Sequence, residues 1–186
     1  MKANIKQNKC LKALSLTLFL LYMGMLLKIL IFRDSNPTGS GLHQVNLVPF
    51  KTIAEYAVMA VQNGRTGIKQ FLLNIPGNVA ILVPFGIFLP ILFKKMNRWQ
   101  RVMLSASCFS IFIEILQYIL NVGSSDIDDV ILNTLGSVAG CFVFRWLTHN
   151  RPLKCSGYSA LIGLSTLMMS GGVFVAFREY SVLLGI

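Results

Sequence analysis

FLLNIPGNVAILVPFGIFLPILF, residues 71–93, runs for 23 residues without a charged side chain. As a helix rising roughly 1.5 Å per residue, it would reach about 34 Å, enough to cross a hydrocarbon core of roughly 30 Å. The rest of the chain gives such a stretch no polar shell to hide in. Of 186 residues, 54% are hydrophobic and 13% charged, and the mean hydropathy is +0.65. A soluble domain carries roughly 25% charged residues. A water-soluble enzyme, a disordered chain and a fibrous protein are excluded on this ground.

Four further apolar runs have spanning length, at 13–32, 102–120, 127–147 and 158–177. The expected fold is therefore an all-α integral membrane protein, a five-helix transmembrane bundle forming one domain over 1–186. The first run follows Lys2, Lys6, Lys9 and Lys12, as in a signal peptide. No small-residue cleavage site follows it, and it is longer than the apolar part of a signal peptide, so it reads as a retained helix. The net charge of +10 reports topology rather than nucleic-acid binding. Basic residues concentrate at the N-terminus, at Lys94, Lys95, Arg98 and Arg101, and at Arg145, Arg151 and Lys154, and are missing from 121–126. The alternation places the N-terminus in the cytoplasm and the C-terminus outside. Arg33, Lys51, Arg65 and Lys69 are spread thinly over the first outer loop. Within that loop, Thr52 and Glu55 fit a capping box opening a short helix to about Val61, expected to lie on the membrane interface.

Polar residues inside spans are costly, so their positions carry information. Asn74 and Asn78 are four apart in the second span, which Pro76, Pro84 and Pro90 interrupt. The prolines are expected to leave the carbonyls of Leu72, Ala80 and Gly86 short of partners. Glu114 and Gln117 share a face of the third span. Asp126, Asp129 and Asn133 share a face of the fourth, with Asp128 directed elsewhere, and Gly136 and Gly140 continue the stripe as a close-packing motif. In this topology Asn78 lies roughly 10 Å and Glu114 roughly 9 Å below the outer surface. The expectation is a polar layer open to the outer face, with Asn46 of the outer loop above it. Glu114 is expected to be protonated or paired across helices, with Lys28 of the first span as counter-ion. Cys10, Cys108, Cys141 and Cys155 have neither CxxC spacing nor a histidine cluster beside them, so no metal site and no cofactor is expected.

Three blocks resemble the VanZ-like family of small bacterial membrane proteins. Asn46-Leu47-Val48-Pro49-Phe50 is similar to an N-L-x-P-F element. Asn74 to Asn78, followed by Pro84-Phe85-Gly86, is similar to an N-x-x-x-N…P-F-G element. Glu114 and Gln117, followed by Asp126, Asp129, Asn133, Thr134 and Gly136, are similar to an E-x-x-Q…D-x-x-D-x-x-x-N-T-x-G element. The blocks cover about 46–140. Val83 precedes Pro84 where many members place an aromatic residue, and Ser124 follows Gly123 where many place Arg. The resemblance implies a multi-pass protein of the bacterial cell membrane that acts on the cell envelope. The family's namesake is associated with low-level resistance to teicoplanin, a glycopeptide antibiotic.

Two classes of function follow. The first is a non-enzymatic protein whose polar layer binds a membrane lipid, a lipid-linked wall precursor or a glycopeptide. The second is an intramembrane enzyme on a lipid-linked substrate, with Glu114 and Asp129 as acid and base. A third reading, proton-coupled transport past the same carboxyls, would require a homodimer in a chain this short. There is no Ser/His/Asp set and no cysteine at the depth of the layer, so the residues fit binding better than catalysis.

Overall fold

The computed structural model describes residues 2–32, 45–120, 124–148 and 163, and within the first helix the side chains of 12–29. The expected fifth span at 158–177, both histidines, and Arg33, Arg151 and Lys154 lie outside the described residues. The elements in order are α1 (Lys2–Phe32), β1 (Val45–Asn46), α2 (Lys51–Gln62), α3 (Gly64–Leu92), a 3-10 turn (Lys94–Met96), α4 (Trp99–Leu120), β2 (Ser125–Asp126) and α5 (Ile127–Thr148). Among the described residues four helical stretches are long and apolar enough to cross a membrane: Lys12–Ile29, Gly64–Leu92, Trp99–Leu120 and Ile127–Thr148. The fold is an all-α membrane bundle, as the composition requires.

The register of side-chain contacts fixes how the helices run. Tyr22 Oη donates to Ile81 O at 2.7 Å, and Phe19 packs on Phe85 and Phe88, so α1 is antiparallel to α3. Asn78 meets Asp129 and Leu82 meets Ser137, so α3 and α5 are parallel. Ser110 meets Asn133 and Ser107 meets Thr134, so α4 is antiparallel to α5. Each consecutive crossing reverses direction, as short connections between spans demand. One end of the bundle therefore collects the start of α3, the end of α4, the start of α5 and the β1–β2 pair. The opposite end collects Lys94, Lys95, Arg98, Arg101 and Arg145.

The most extensive helix contact joins α3 to α5, and glycines make it. A Cβ at Gly136 would overlap the Val79 carbonyl, and one at Gly86 the Ser137 carbonyl. A Cβ at Gly140 would overlap the Val83 carbonyl and come within 3.2 Å of Gly86 Cα. In lipid, where apolar side chains gain little by leaving their solvent, such backbone proximity supplies much of the attraction between helices. Around this seam Leu82, Phe85, Leu89, Val102, Ala106, Ile113 and Cys141 form the core, with Tyr22 and Leu26 closing it from α1.

All three prolines lie inside one continuous α3. Near Pro84 two carbonyls receive side-chain donors from neighbouring helices. Tyr22 supplies Ile81 O, and Ser137 Oγ supplies Leu82 O at 3.3 Å. Both lie just beyond Ala80, the carbonyl deprived of its amide partner. The proline ring widens the whole turn, so the neighbouring carbonyls tilt outward and meet these hydroxyls.

Candidate functional site

The site grows from an unusual opening to α2. Phe50 precedes the helix with a left-handed backbone (φ 65°), and no side chain of its own segment caps the helix. The first-turn amides instead reach Asp128, in the first turn of α5. Phe50 N donates to Asp128 Oδ1 at 2.5 Å and Ile53 N to Asp128 Oδ2 at 3.1 Å. A carboxylate from one helix thus caps another, where the partial positive charge of a helix N-terminus favours it. The capping box read from Thr52 and Glu55 is not formed. Thr52 Oγ1 accepts from Asn46 Nδ2 at 2.9 Å, and Glu55 pairs with Lys51 at 4.0 Å, both exposed.

Asn46 ties the same segment down a second time. Its Nδ2 also donates to Asp126 Oδ1 at 3.1 Å, while its Oδ1 accepts from Val48 N at 3.2 Å. β1 lies parallel to β2, Val45 opposite Ser125 and Asn46 opposite Asp126. Asp126 Oδ1 further accepts from Asp128 N at 2.9 Å. Its own amide donates to Glu114 Oε2 at 2.8 Å, and Ser125 Oγ donates to Glu114 O at 3.0 Å. Residues 45–53 form a strap, held on the mouth of the bundle by Asp126 and Asp128. The two carboxylates have no basic partner among the described residues.

Below the strap the polar contacts continue into the bundle. Asn78 Nδ2 donates to Asp129 Oδ1 across the α3–α5 seam. Asn133 Nδ2 donates to Ser110 Oγ at 2.9 Å across α4–α5. Asn133 Oδ1 has no hydrogen-bond partner among the described residues, although the side chain is 2% exposed. Gln117 is buried on the stripe of α4 that carries Ser110 and Ile113. Asn74 is not drawn into these contacts: its Nδ2 donates to Gln70 O of its own helix at 2.9 Å. Lys28 is exposed on α1.

Beside the strap lies a groove of about 280 Å³ between β1, α4 and the start of α5. Val45, Leu47, Ile111, Ile115, Tyr118 and Val130 give it apolar walls, and Glu114 and Asp126 also line it, although the surface it presents is apolar throughout. Glu114 and Asp126 thus belong both to the strap's anchor and to the groove. Among the described residues no group of three or more His, Cys, Asp or Glu is placed to hold a metal ion.

Sequence reasoning directs Asp128 away from the polar face, because i, i+3, i+7 spacing sorts residues by the face of their own helix. The structure gives it 0% exposure and the central place in the strap's anchor. An acidic residue in a first turn is ordinarily read as a partner for its own helix dipole, so the sequence carries no signal that it caps another helix. Ser110 and Ser125 are likewise silent in sequence, since a small hydroxyl in a span passes for packing.

A family model described as VanZ/LLP1 matches residues 19–148, from within α1 to the end of α5. The protein named VanZ from Enterococcus faecium is 30% identical over 163 residues, covering 85% of this chain and 91% of that protein. No solved structure matches the chain. The strap, the glycine seam and the groove all fall within the matched region, and the chain belongs to the VanZ/LLP1 family of membrane proteins.

Proposed function

We propose that the groove beside the strap binds an amphiphile of the cell envelope, a membrane lipid, a lipid-linked wall precursor or the apolar tail of a glycopeptide. The observation that carries this reading is the groove's apolar lining at the strap's end of the bundle: the walls from α4, β1 and the start of α5 suit a hydrocarbon chain. On this reading the strap's end of the bundle faces outward, α2 lies along the outer interface, and the N-terminus is cytoplasmic. The basic residues gathered at the opposite end support that orientation, since cytoplasmic loops are enriched in Lys and Arg. Any effect on teicoplanin susceptibility would follow from sequestering or presenting such an amphiphile. The test fills the groove. Ile115→Trp places an indole on a half-exposed wall position without touching the helix seam. It should abolish binding of fluorescent teicoplanin or wall precursor to purified protein and remove the envelope phenotype, at normal expression. Unchanged binding and phenotype would move the functional surface away from the groove.

A further inference from the structure

Charge is divided between the two ends of the bundle. The described carboxylates, Glu55, Glu114, Asp126, Asp128 and Asp129, all belong to the strap's end. The opposite end holds Lys94, Lys95, Arg98, Arg101 and Arg145. Lys12 joins them, because α1 is antiparallel to α3 and Lys12 lies two turns before Phe19, which packs on Phe85 and Phe88. None of these six has an acidic partner among the described residues.

One of them is held in place. Arg101 lies in the first turn of α4, and its Nη1 donates to Lys95 O at 2.5 Å. The guanidinium therefore folds back over the turn that carries Lys94 and Lys95, both exposed. Arginine presents its N–H donors as a rigid planar fork matched to phosphate oxygens. One arm is committed to Lys95 O, and the remaining donors have no partner among the described residues. Topology asks only for basic residues somewhere in the connection. It does not ask that a guanidinium be fixed on a backbone carbonyl. Beneath Arg101, Leu104, Cys108 and Phe112 share its face of α4 and are exposed. From 101 to 112 the helix rises roughly 16 Å, about half of a 30 Å hydrocarbon core and so the depth of one leaflet. A positioned fork thus heads an apolar stripe one acyl chain long.

We infer that the α3–α4 turn binds the phosphate of a net-anionic phospholipid, with Arg101 as the fork, Lys95 adding charge, and the acyl chain along Leu104, Cys108 and Phe112. A zwitterionic lipid offers the same phosphate but carries a cation into a cluster that lacks any carboxylate. The site is at the other end of the bundle from the groove and does not rest on it.

The test places the full chain in nanodiscs of equal parts dioleoyl phosphatidylglycerol, phosphatidylethanolamine and phosphatidylcholine. Lipid retained after release into detergent is counted by native mass spectrometry. Phosphatidylglycerol should exceed each of the others roughly twentyfold. Arg101 and Lys95 would each supply about fivefold, the factor given by about 1 kcal/mol per basic side chain at an anionic surface. Arg101→Gln should therefore lower the excess about fivefold. Lys95→Gln should do the same while leaving the carbonyl that Arg101 binds, so it decides the point if Arg101→Gln misfolds. Arg145→Gln removes the same charge from another helix and should leave the excess unchanged. Equal retention of the three lipids by the native chain overturns the inference. A loss in Arg145→Gln as large as in Arg101→Gln overturns it too, since the preference would then be diffuse charge and not a site. Displacement of the lipid by millimolar inorganic phosphate would assign the fork to a free anion and refute the lipid.

Discussion

Asp128→Ala removes one side chain and frees two amides at the start of α2. Asp128 is completely buried, and its oxygens take Phe50 N and Ile53 N at 2.5 and 3.1 Å. Hydrogen bonds to a charged group contribute roughly 1.5–3 kcal/mol each when no replacement is at hand. Here replacement is at hand, since α2 has no buried residue and its first turn can meet water or headgroups. The loss should then approach that of an ordinary N-cap, roughly 0.5–2 kcal/mol. Phe50 adds to it, because its left-handed backbone costs about 1–2 kcal/mol and is stabilised by the Asp128 bond. A local loss of about 1–2 kcal/mol corresponds to a 5–30-fold rise in opening. Hydrogen–deuterium exchange of the chain in nanodiscs should show this acceleration in peptides covering 45–62 and none in α3 or α5. Asp128→Asn, which retains one acceptor but turns an amide donor toward an N–H, should lie between native and Ala. Unchanged exchange over 45–62 in Asp128→Ala would refute the clamp. A fall in the melting temperature of the whole bundle, with α3 exchanging faster too, would show that Asp128 belongs to the core and does not act locally.

Gly140→Leu forces a side chain against the Val83 carbonyl and Gly86 Cα; overpacking of this kind costs about 1–3 kcal/mol or more, read as reduced folded yield and melting temperature, whereas native stability would mean the seam can part freely. Glu114→Gln and Asp129→Asn keep shape and some hydrogen bonding, and each should fold normally yet lose the envelope phenotype, measured as teicoplanin susceptibility beside membrane expression; retention of the phenotype in both would make these carboxyls purely structural. Ser110→Ala removes one interhelical bond, to Asn133, worth roughly 0.6 kcal/mol on average in a membrane; a small drop in melting temperature is expected, and loss of the phenotype at full stability would assign the Ser110–Asn133 pair a direct role. A reporter fused after Thr148 should read cytoplasmic and one after Ile186 extracytoplasmic; the same reading at both would remove the fifth crossing.

The membrane class was legible in the sequence because hydropathy is a property of a short stretch and needs no partner. Residues 71–93 must leave water whatever surrounds them, and the described helices α1, α3, α4 and α5 carry the apolar runs that composition marks out. Helical spacing also ranks faces, which is how Asn78, Asp129 and Asn133 stand out from their apolar neighbours. It does not say what covers a face. Asn74 shares a face with Asn78, yet its amide turns to Gln70 of its own helix, while Asn78 meets Asp129. The strap is a tertiary decision altogether. β1 and β2 are two residues each and lie 80 positions apart, too short for any alternation and too distant for any local signal. Thr52 and Glu55 had the spacing to cap α2 by themselves. Once β1 lies beside β2, Asp128 is brought under the amides of Phe50 and Ile53, the helix opens at Lys51, and Thr52 falls inside its first turn with its hydroxyl accepting from Asn46. The groove has the same origin. Ile111 and Ile115 belong to α4, Val130 to α5 and Val45 to a strand 66 residues before the first of them. Only the close approach of backbones at the glycine seam, and the strap laid across the bundle's end, set these walls around Asp126.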